Sequence, residues 1–189
     1  VIDPFKIINK YGLDQFKYFL LREMRFGKDG DFSEKALISR SNADLSNDLG
    51  NLVQRVLSFV HKNCKGEIPK PDRFLEVDNV ILNEMNLIKD KVVKFMYEYM
   101  PTDALEEIWN IIRKCNTYVD SQAPWVLKNK NINRMNTVLY VLLILIKKIA
   151  LLTQSFIPEG SDKILNQLSI PTEERGREYF DKDIDYNTS

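Results

Sequence analysis

The sequence predicts an all-α protein, an antiparallel bundle of four or five helices joined by short loops. In each long segment the apolar residues recur at the three- and four-residue spacing of one helix face. Glycine and proline residues stand between these segments, where they end helices and start loops. The sequence contains neither the apolar–polar alternation that is typical of a strand nor a repeat of fixed period.

Residues 1–32 are predicted to form two short helices separated by Gly12. Asp14 is expected to cap the second helix, and a turn-rich loop is expected at residues 26–31. Two short helices without a sheet bury too little apolar surface to form a domain. We therefore expect them to pack on a part of the protein that precedes this chain or on the helix that follows.

The bundle is predicted to start at Ser33, whose side chain can cap a helix. A kink or break near Ser41 leads into a long helix over residues 41–62. A glycine and two prolines at residues 66–71 then form the clearest loop in the chain. The buried stripe of the long helix consists of apolar residues at helical spacing: Leu45, Leu49, Leu52, Val53, Val56, Leu57, Phe59 and Val60.

The rest of the chain is predicted to form four more helices and a tail. Asp103 and Glu106 have the spacing of a capping box, and either Asn131 or Asn133 can cap the last long helix. The bundle is expected to end at residue 170, and the charged residues 171–189 are expected to be an extended or loosely packed tail. The four helices are predicted over residues 78–99, 103–123, about 131–156 and 161–168.

Composition limits the partners that this chain can have. Lys plus Arg and Asp plus Glu both number 27 in 189 residues, so a nucleic-acid site must be a local patch. The most apolar run, residues 138–146, is shorter than the roughly 20 apolar residues of a membrane span and is expected to be a core helix. The cytoplasm is the expected location, with neither a membrane nor DNA as partner. The start at Val1 suggests a fragment of a longer protein.

The sequence carries no recognisable enzyme signature. It has no glycine-rich phosphate loop, no cluster of metal-ligand residues and no Ser–His or Cys–His pair with an orienting group. Cys64 and Cys115 lack a CxxC spacing, and we interpret them as ordinary thiols and His61 as a structural or surface residue. We therefore expect no catalytic residue, metal or cofactor in this chain.

Two polar residues lie outside the apolar stripe of the helix at residues 41–62. Asn51 and Arg55 are four positions apart, which is one turn of a helix. An amide beside a guanidinium can hydrogen-bond to the edge of a flat polar ligand such as a base. Trp125 follows the helix-ending Pro124. The residues alone leave two interpretations of Trp125 open, a plug for the end of the core and an aromatic platform for an unstacked base.

Trp109 lies within a continuous helix and is expected to belong to the core or its rim. Four cations near the polar residues are open to two interpretations, as solvated surface charges or as contacts to RNA phosphates. These cations are Lys62, Lys128, Lys130 and Arg134.

Three stretches of the chain resemble methionyl-tRNA synthetases, in the same order and at plausible spacing. The opening VIDPFKIINKYGLDQFKYFLLREMRFGKDGDFSEKALISR resembles the segment that directly follows the KMSKS loop of these enzymes. NADLSNDLGNLVQR resembles the first helix of their anticodon-binding domain, and NTYVDSQAPWVL resembles the end of their fourth helix with its tryptophan corner. The resemblance runs from residue 1 to about residue 156 and weakens after residue 160.

The resemblance implies how the chain is divided. In that family a class I catalytic core joins a stem-contact segment, which joins a helical domain that binds the CAU anticodon of methionine tRNA. The resemblance implies that residues 1–32 are the stem-contact segment at the end of the catalytic core. Residues 33–170 are then the anticodon-binding domain, and residues 171–189 are a C-terminal tail.

The resemblance also implies roles for single residues. The family's base-reading asparagine and arginine match Asn51 and Arg55, which are implied to recognise the first anticodon base, cytosine. Its stacking tryptophan matches Trp125, with Pro124 holding the corner. The HIGH and KMSKS motifs of the family are absent from this sequence. The chain alone is therefore expected to be inactive, and the ATP and Mg²⁺ implied for the full-length methionine–tRNA ligase have no matching residues here.

Two alternatives to this interpretation stay open at the level of sequence. The first is the anticodon-binding bundle of another class I synthetase, against which the combination of APW and NLVQR argues. The second is a helical protein-interaction scaffold in which Trp125 belongs to the core. Methionine tRNA and the missing catalytic domain are the partners expected under the leading interpretation.

Overall fold

A computed structural model describes residues 3–24 and 32–185, and within these ranges every regular element is helical, which confirms the predicted fold class. The loop predicted at residues 26–31 lies outside the described residues. The elements are α1 (Pro4–Tyr11), α2 (Leu13–Glu23), α3 (Glu34–Arg40), a π-helical stretch (Ser41–Gly50), α4 (Asn51–Asn63), α5 (Glu76–Tyr97), α6 (Pro101–Gln122), α7 (Pro124–Lys130), α8 (Ile132–Thr153), α9 (Pro158–Gln167) and two 3₁₀ turns (Thr172–Glu174 and Arg177–Tyr179).

Helices α5 and α6 run antiparallel, as their ion pairs show. Glu84 of α5 pairs with Lys114 of α6 at 2.9 Å. About two turns further along α5, Lys91 pairs at 3.2 Å with Glu107, which lies earlier in α6. The N-terminal end of α5 therefore lies beside the C-terminal end of α6.

Helix α4 runs parallel to α6. The Asn116 amide in the second half of α6 donates to the carbonyl oxygen of Asp48, just before α4, and Asp120 near the end of α6 pairs with Arg55. Helix α8 runs back, because Arg134 near its start bonds Gln122, the last residue of α6. The last turns of α4 and α6, the first turns of α5 and α8, and α7 thus share one end of the bundle. We call it the Trp125 end.

Helix α8 forms the centre of the core. All of its residues from 137 to 151 are buried, which confirms that residues 138–146 belong to a core helix. Within the described part of the chain, α8 is long and apolar enough to cross a membrane by length and composition, yet 89% of its most apolar window is buried inside the protein. Its apolar surface is therefore already covered by α4, α5, α6 and α9.

Segment α1–α2 packs onto the bundle, as expected for helices too short to form a domain. The Tyr18 hydroxyl donates to Asp44 Oδ2 at 2.6 Å, and the Trp109 indole N–H donates to the carbonyl oxygen of Asp44 at 3.2 Å. Tyr18 and Trp109 also contact each other, with ring centroids 4.6 Å apart. These contacts join α2, the π-helical stretch and α6 in one buried cluster.

Two predicted caps are wrong. Asp14 does not cap α2, because its carboxylate accepts the backbone N–H groups of Glu159 and Gly160 at the start of α9, at 3.3 and 2.6 Å. Glu106 does not form a capping box with Asp103. Helix α6 starts two residues earlier, at Pro101, and Glu106 instead pairs with Arg22 of α2. In both cases the carboxylate bonds a partner that is distant in sequence.

The prediction of an extended or loosely packed tail is also wrong for its described part. Phe180 and Ile184 are 1% and 6% exposed and belong to the main core. The Tyr140 hydroxyl donates to the Ile184 carbonyl oxygen at 2.9 Å, and the Lys147 ammonium donates to the Lys182 carbonyl oxygen at 2.6 Å. Two well-spaced apolar residues among many charged ones are therefore sufficient to dock this segment on α8.

Candidate RNA-binding site at the Trp125 end

The corner between α6 and α7 places Trp125 at the surface. Ala123 has the left-handed backbone conformation, with φ of 44° and ψ of 65°, which ends α6 and turns the chain. Pro124 then occupies the first position of α7, where its fixed φ suits a helix start and its missing N–H is not needed. Pro124 is buried, whereas Trp125 is 44% exposed. The proline therefore anchors the corner, and the indole extends from it.

The structure brings Arg55 and Trp125 into contact from separate helices. The Arg55 guanidinium carbon lies 5.3 Å from the centroid of the indole ring, which is the range of a cation–π interaction. Together with Pro124 these two residues line an open pocket of about 150 Å³. Its other walls are apolar side chains of α4, α6 and α8: Val56, Phe59, Val119 and Leu139. A flat ring could therefore contact an apolar floor, an indole and a guanidinium at once.

Asp120 completes this arrangement, although the sequence pattern did not single it out. Its Oδ1 accepts a hydrogen bond from Arg55 Nη2 at 2.6 Å, while the Asp120 side chain itself is 62% exposed. The carboxylate thus holds the guanidinium next to Trp125. Asp120 lies outside the apolar stripe of its helix and five positions before Trp125, which is the only signal in the sequence that could have pointed to it.

Asn51 is the first residue of α4, one turn before Arg55, and it is exposed. Its side chain makes no hydrogen bond within the part of the chain that the structure describes.

The π-helical stretch ends immediately before Asn51 at Gly50, where a Cβ atom would lie only 3.0 Å from the Leu45 carbonyl oxygen. The break expected near Ser41 is thus a π-helical segment, a feature that is frequent at functional sites.

The predicted cations at this end fall into two groups. Lys62, Lys128 and Lys130 are exposed and form no ion pair among the described residues. Arg134 differs, because its side chain is only 11% exposed and its guanidinium bonds both carboxylate oxygens of Asp78. The structure therefore gives Arg134 a partner inside the protein, which removes it from the cations available to a phosphate.

Asp78 is the centre of a buried polar network below the corner. Besides Arg134 it bonds the Tyr118 hydroxyl and the backbone N–H of Leu75, and Arg134 also bonds Gln122 just before the corner. Burial raises the pKa of Asp78, but the hydrogen bonds from Arg134, Tyr118 and Leu75 lower it more, so that the net pKa lies below its ordinary value. The network thus ties α5, α6 and α8 together with an ionised carboxylate.

Two families match this chain in separate ranges. Residues 1–57 match the family described as "tRNA synthetases class I (M)". Residues 68–184 match "Anticodon binding domain of methionyl tRNA ligase". The second match covers α5 to α9 and the docked tail, and so it includes the corner with Trp125.

Individual relatives extend over most of this chain. The methionine–tRNA ligase of Brucella suis is 42% identical over 175 residues, which are 93% of this chain and 34% of the relative. That of Rickettsia felis is 40% identical over 179 residues, 92% of this chain and 35% of the relative. The methionyl-tRNA synthetase of Mycobacterium tuberculosis in its free state superposes with a TM-score of 0.95 at 36% identity, over 98% of this chain and 38% of that one.

The M. tuberculosis enzyme has also been solved bound by methionyl-adenylate, with the same TM-score and identity. The chain spans about a third of the length of these relatives. Its match to the methionyl-specific domain separates it from the other class I synthetases. The chain belongs to the methionyl-tRNA ligase family and contains that family's anticodon-binding domain.

Proposed function

We propose that this chain is the tRNA-recognition part of a cytoplasmic methionyl-tRNA synthetase, and that its Trp125 end binds the CAU anticodon of methionine tRNA. In this proposal Asn51, Arg55 and Trp125 recognise the first anticodon base, cytosine, and Pro124 holds the corner. The observation that supports it best is the contact between Arg55 and Trp125, since it joins a base-edge donor to an aromatic face in one open pocket.

The chemistry of these side chains suits an unstacked cytosine. Proteins read RNA sequence mainly in single-stranded loops, where the bases expose their edges and faces. The Arg55 guanidinium can donate to the carbonyl oxygen and ring nitrogen of cytosine, and the Asn51 amide can both donate and accept. The indole of Trp125 supplies a stacking surface. Because Asp120 holds Arg55 beside the indole, a bound base has to share or displace the contact between Arg55 and Trp125.

The remaining contacts position the RNA without reading its sequence. Lys62, Lys128 and Lys130 are proposed to bind phosphates next to the anticodon. Residues 1–32 are proposed as the stem-contact segment that links residues 33–170 to the catalytic core. That core would attach methionine with ATP and Mg²⁺. Within the described ranges no group of His, Cys, Asp or Glu side chains is arranged to hold a metal ion.

Binding of anticodon stem-loops tests the proposal directly. The protein should bind a stem-loop with CAU more tightly than one with UAU, because N3 of cytosine can accept a hydrogen bond from Arg55, whereas N3 of uracil carries a hydrogen. Arg55→Ala should weaken CAU binding by roughly 1–3 kcal/mol and reduce the preference for cytosine. Fluorescence anisotropy of labelled stem-loops measures both quantities.

Arg113→Ala is the matched control, because Arg113 is also an exposed arginine that pairs with a carboxylate, Asp48, at 3.4 Å. It lies away from Trp125, and its replacement should leave the preference for cytosine unchanged. Equal affinity of the unmodified protein for CAU and UAU would reject the proposal in favour of the scaffold interpretation.

A further inference from the structure

The loop between α4 and α5, residues 64–75, lies at the Trp125 end and carries three cations of its own. Lys65, Lys70 and Arg73 are all exposed. None of them forms an ion pair, hydrogen bond or ring contact within the ranges that the structure describes. Nine lysine and arginine side chains along the described helices are instead paired with carboxylates.

These cations produce a local excess of positive charge in a chain whose net charge is zero. The last turn of α4, the loop and α7 contain six unpaired lysine and arginine side chains against two carboxylates, Glu67 and Asp72. Glu76 at the start of α5 adds a third unpaired carboxylate, whereas Asp78 and Asp120 on the neighbouring helices are already paired with arginines. The six cations are Lys62, Lys65, Lys70, Arg73, Lys128 and Lys130. The protein thus concentrates uncompensated positive charge beside its exposed tryptophan.

The loop is fixed to the bundle along its length. Pro69 is buried, and Ile68 and Phe74 pack on the main core. The backbone N–H of Asp72 donates to the Thr137 hydroxyl of α8 at 2.9 Å, and the rings of Phe74 and Tyr140 meet edge to face with centroids 6.3 Å apart. A loop anchored in this way presents its cations from defined positions next to the start of α8, where α7 ends.

We propose that residues 64–75 form a second RNA-contact element, in which Lys65, Lys70 and Arg73 bind phosphates that flank the anticodon. This inference rests on the proposed function and extends its RNA surface beyond α4 and α7. These cations are exposed, lack protein partners and extend from an anchored backbone, so they are able to bind phosphates. A phosphate contact needs a positive charge on a side chain long enough to reach it, but it does not need the fixed geometry of a contact to a base edge. The loop offers no exposed aromatic ring for stacking, so it contributes position and affinity without sequence preference.

The salt dependence of RNA binding tests this inference. Affinity falls as salt rises, and removing one phosphate contact makes the slope of log affinity against log salt shallower by about 0.7–0.9. The triple variant Lys65→Asn, Lys70→Ala, Arg73→Ala in the full-length protein should therefore make that slope shallower by about 2–3. It should also weaken CAU stem-loop binding roughly 10- to 100-fold at 0.15 M salt. Asparagine is chosen for residue 65 because the Lys65 backbone is left-handed, with φ of 56°.

Two control variants separate this effect from the removal of charge as such. Lys94→Ala, Lys163→Ala and Arg177→Ala together remove three exposed, unpaired cations that lie away from the Trp125 end, and they should leave the slope unchanged. Lys70→Arg with Arg73→Lys keeps the charge and should keep the slope. Circular dichroism confirms the fold of each variant.

Each result decides between the hypotheses. An unchanged slope and affinity in the loop variant, or a decrease equal to that of the cation control, overturns the inference. Disappearance of the preference for CAU over UAU in the loop variant also overturns it, since phosphate contacts do not read bases. If the unmodified protein binds CAU and UAU equally, the proposed function fails instead, and that outcome is visible before any loop variant is measured.

Discussion

Trp125 and Trp109 differ in burial, and the difference predicts opposite effects of their replacement. Trp125 is 44% exposed, whereas Trp109 is fully buried and bonded to the Asp44 carbonyl oxygen. Trp125→Ala should therefore weaken CAU stem-loop binding by roughly 1–3 kcal/mol, the usual worth of a stacked base, with little change in the free energy of unfolding. Stem-loop titration and urea unfolding measure the two effects separately.

Trp109→Ala is the contrasting variant and should lower the free energy of unfolding by about 3–5 kcal/mol, because it empties a packed core site. If Trp125→Ala destabilised the chain to a similar degree, Trp125 would be a core residue. The proposed base platform would then be wrong.

Asp78 predicts a specific response to acid. Its pKa is lowered in the folded chain, so its ion pair stabilises the fold above the carboxyl's ordinary pKa of about 4 and ceases to do so as the pH falls through the folded value. Asp78→Asn leaves Arg134, whose side chain is only 11% exposed, without a charged partner and should lower the free energy of unfolding at pH 7 by about 3–5 kcal/mol. The decline of stability below pH 4 should become shallower, as measured by urea unfolding at several pH values.

Asp90→Asn provides the control for the removal of a carboxylate. Asp90 is an exposed carboxylate on the same helix that has no ion pair among the described residues. Its replacement should change the free energy of unfolding at pH 7 by about 0.5 kcal/mol or less. A profile of Asp78→Asn that matches the unmodified chain below pH 4 would show that Asp78 does not contribute to acid unfolding.

Single residues differ in how well the sequence predicts their roles. Helical spacing and the proline corner make Asn51, Arg55 and Trp125 candidates, since outward polar groups and an isolated tryptophan differ from the apolar stripes, and their role in base recognition stays a proposal. The sequence does not identify Asp120 as a site residue, because a carboxylate on a helix face is common. The sequence does not predict the ion pair of Arg134 either, because its partner Asp78 lies on another helix and sequence spacing cannot place the two together.

At the scale of elements, Phe180 is the aromatic one of the two apolar residues that dock the tail. Phe180 is 1% exposed, and the ammonium groups of Lys89 and Lys148 lie 5.4 and 5.0 Å from its ring centroid. Phe180→Ala should lower the free energy of unfolding by about 3–4 kcal/mol, because it creates a cavity and removes the ring from two cations. Tyr179→Ala, at a half-buried neighbouring position, should cost about 1 kcal/mol or less. Equal decreases in the two variants would contradict the docking of this segment through Phe180.

The sequence predicts the type of an element where its apolar periodicity is strong. The predictions are wrong where contacts between residues distant in sequence determine the structure. The one-sided stripes of α4, α5 and α6 and the continuous apolar run of α8 predict the existence and order of these helices. The docking of the tail is not predictable in this way, because its many charges hide the two apolar residues that dock it. The start of α6 differs from the prediction because Pro101 fixes it before Asp103 can act as a cap.

At the scale of the whole molecule, the contacts of segment α1–α2 predict a single cooperative unit. Tyr18 belongs to the main core, and Asp14 caps α9 at the other end of the sequence. Arg22 pairs with Asp44 and Glu106 at the junction where Trp109 lies. The division proposed at residue 32 is therefore not expected to separate independently stable parts. It remains a proposal.

Cooperative unfolding can be tested with one fluorescent probe at that junction. In a Trp125→Phe variant, Trp109 is the remaining tryptophan of the chain and reports on the contact between α2, the π-helical stretch and α6. Its fluorescence and the far-ultraviolet circular dichroism, which reports on all helices, should give the same urea midpoint, because both signals change together when a two-state unit unfolds. An earlier fluorescence transition would show that residues 3–24 detach before the bundle unfolds. Tyr18→Phe, which removes only the hydroxyl bonded to Asp44, should lower both midpoints equally, since a bond within one cooperative unit stabilises the whole of it.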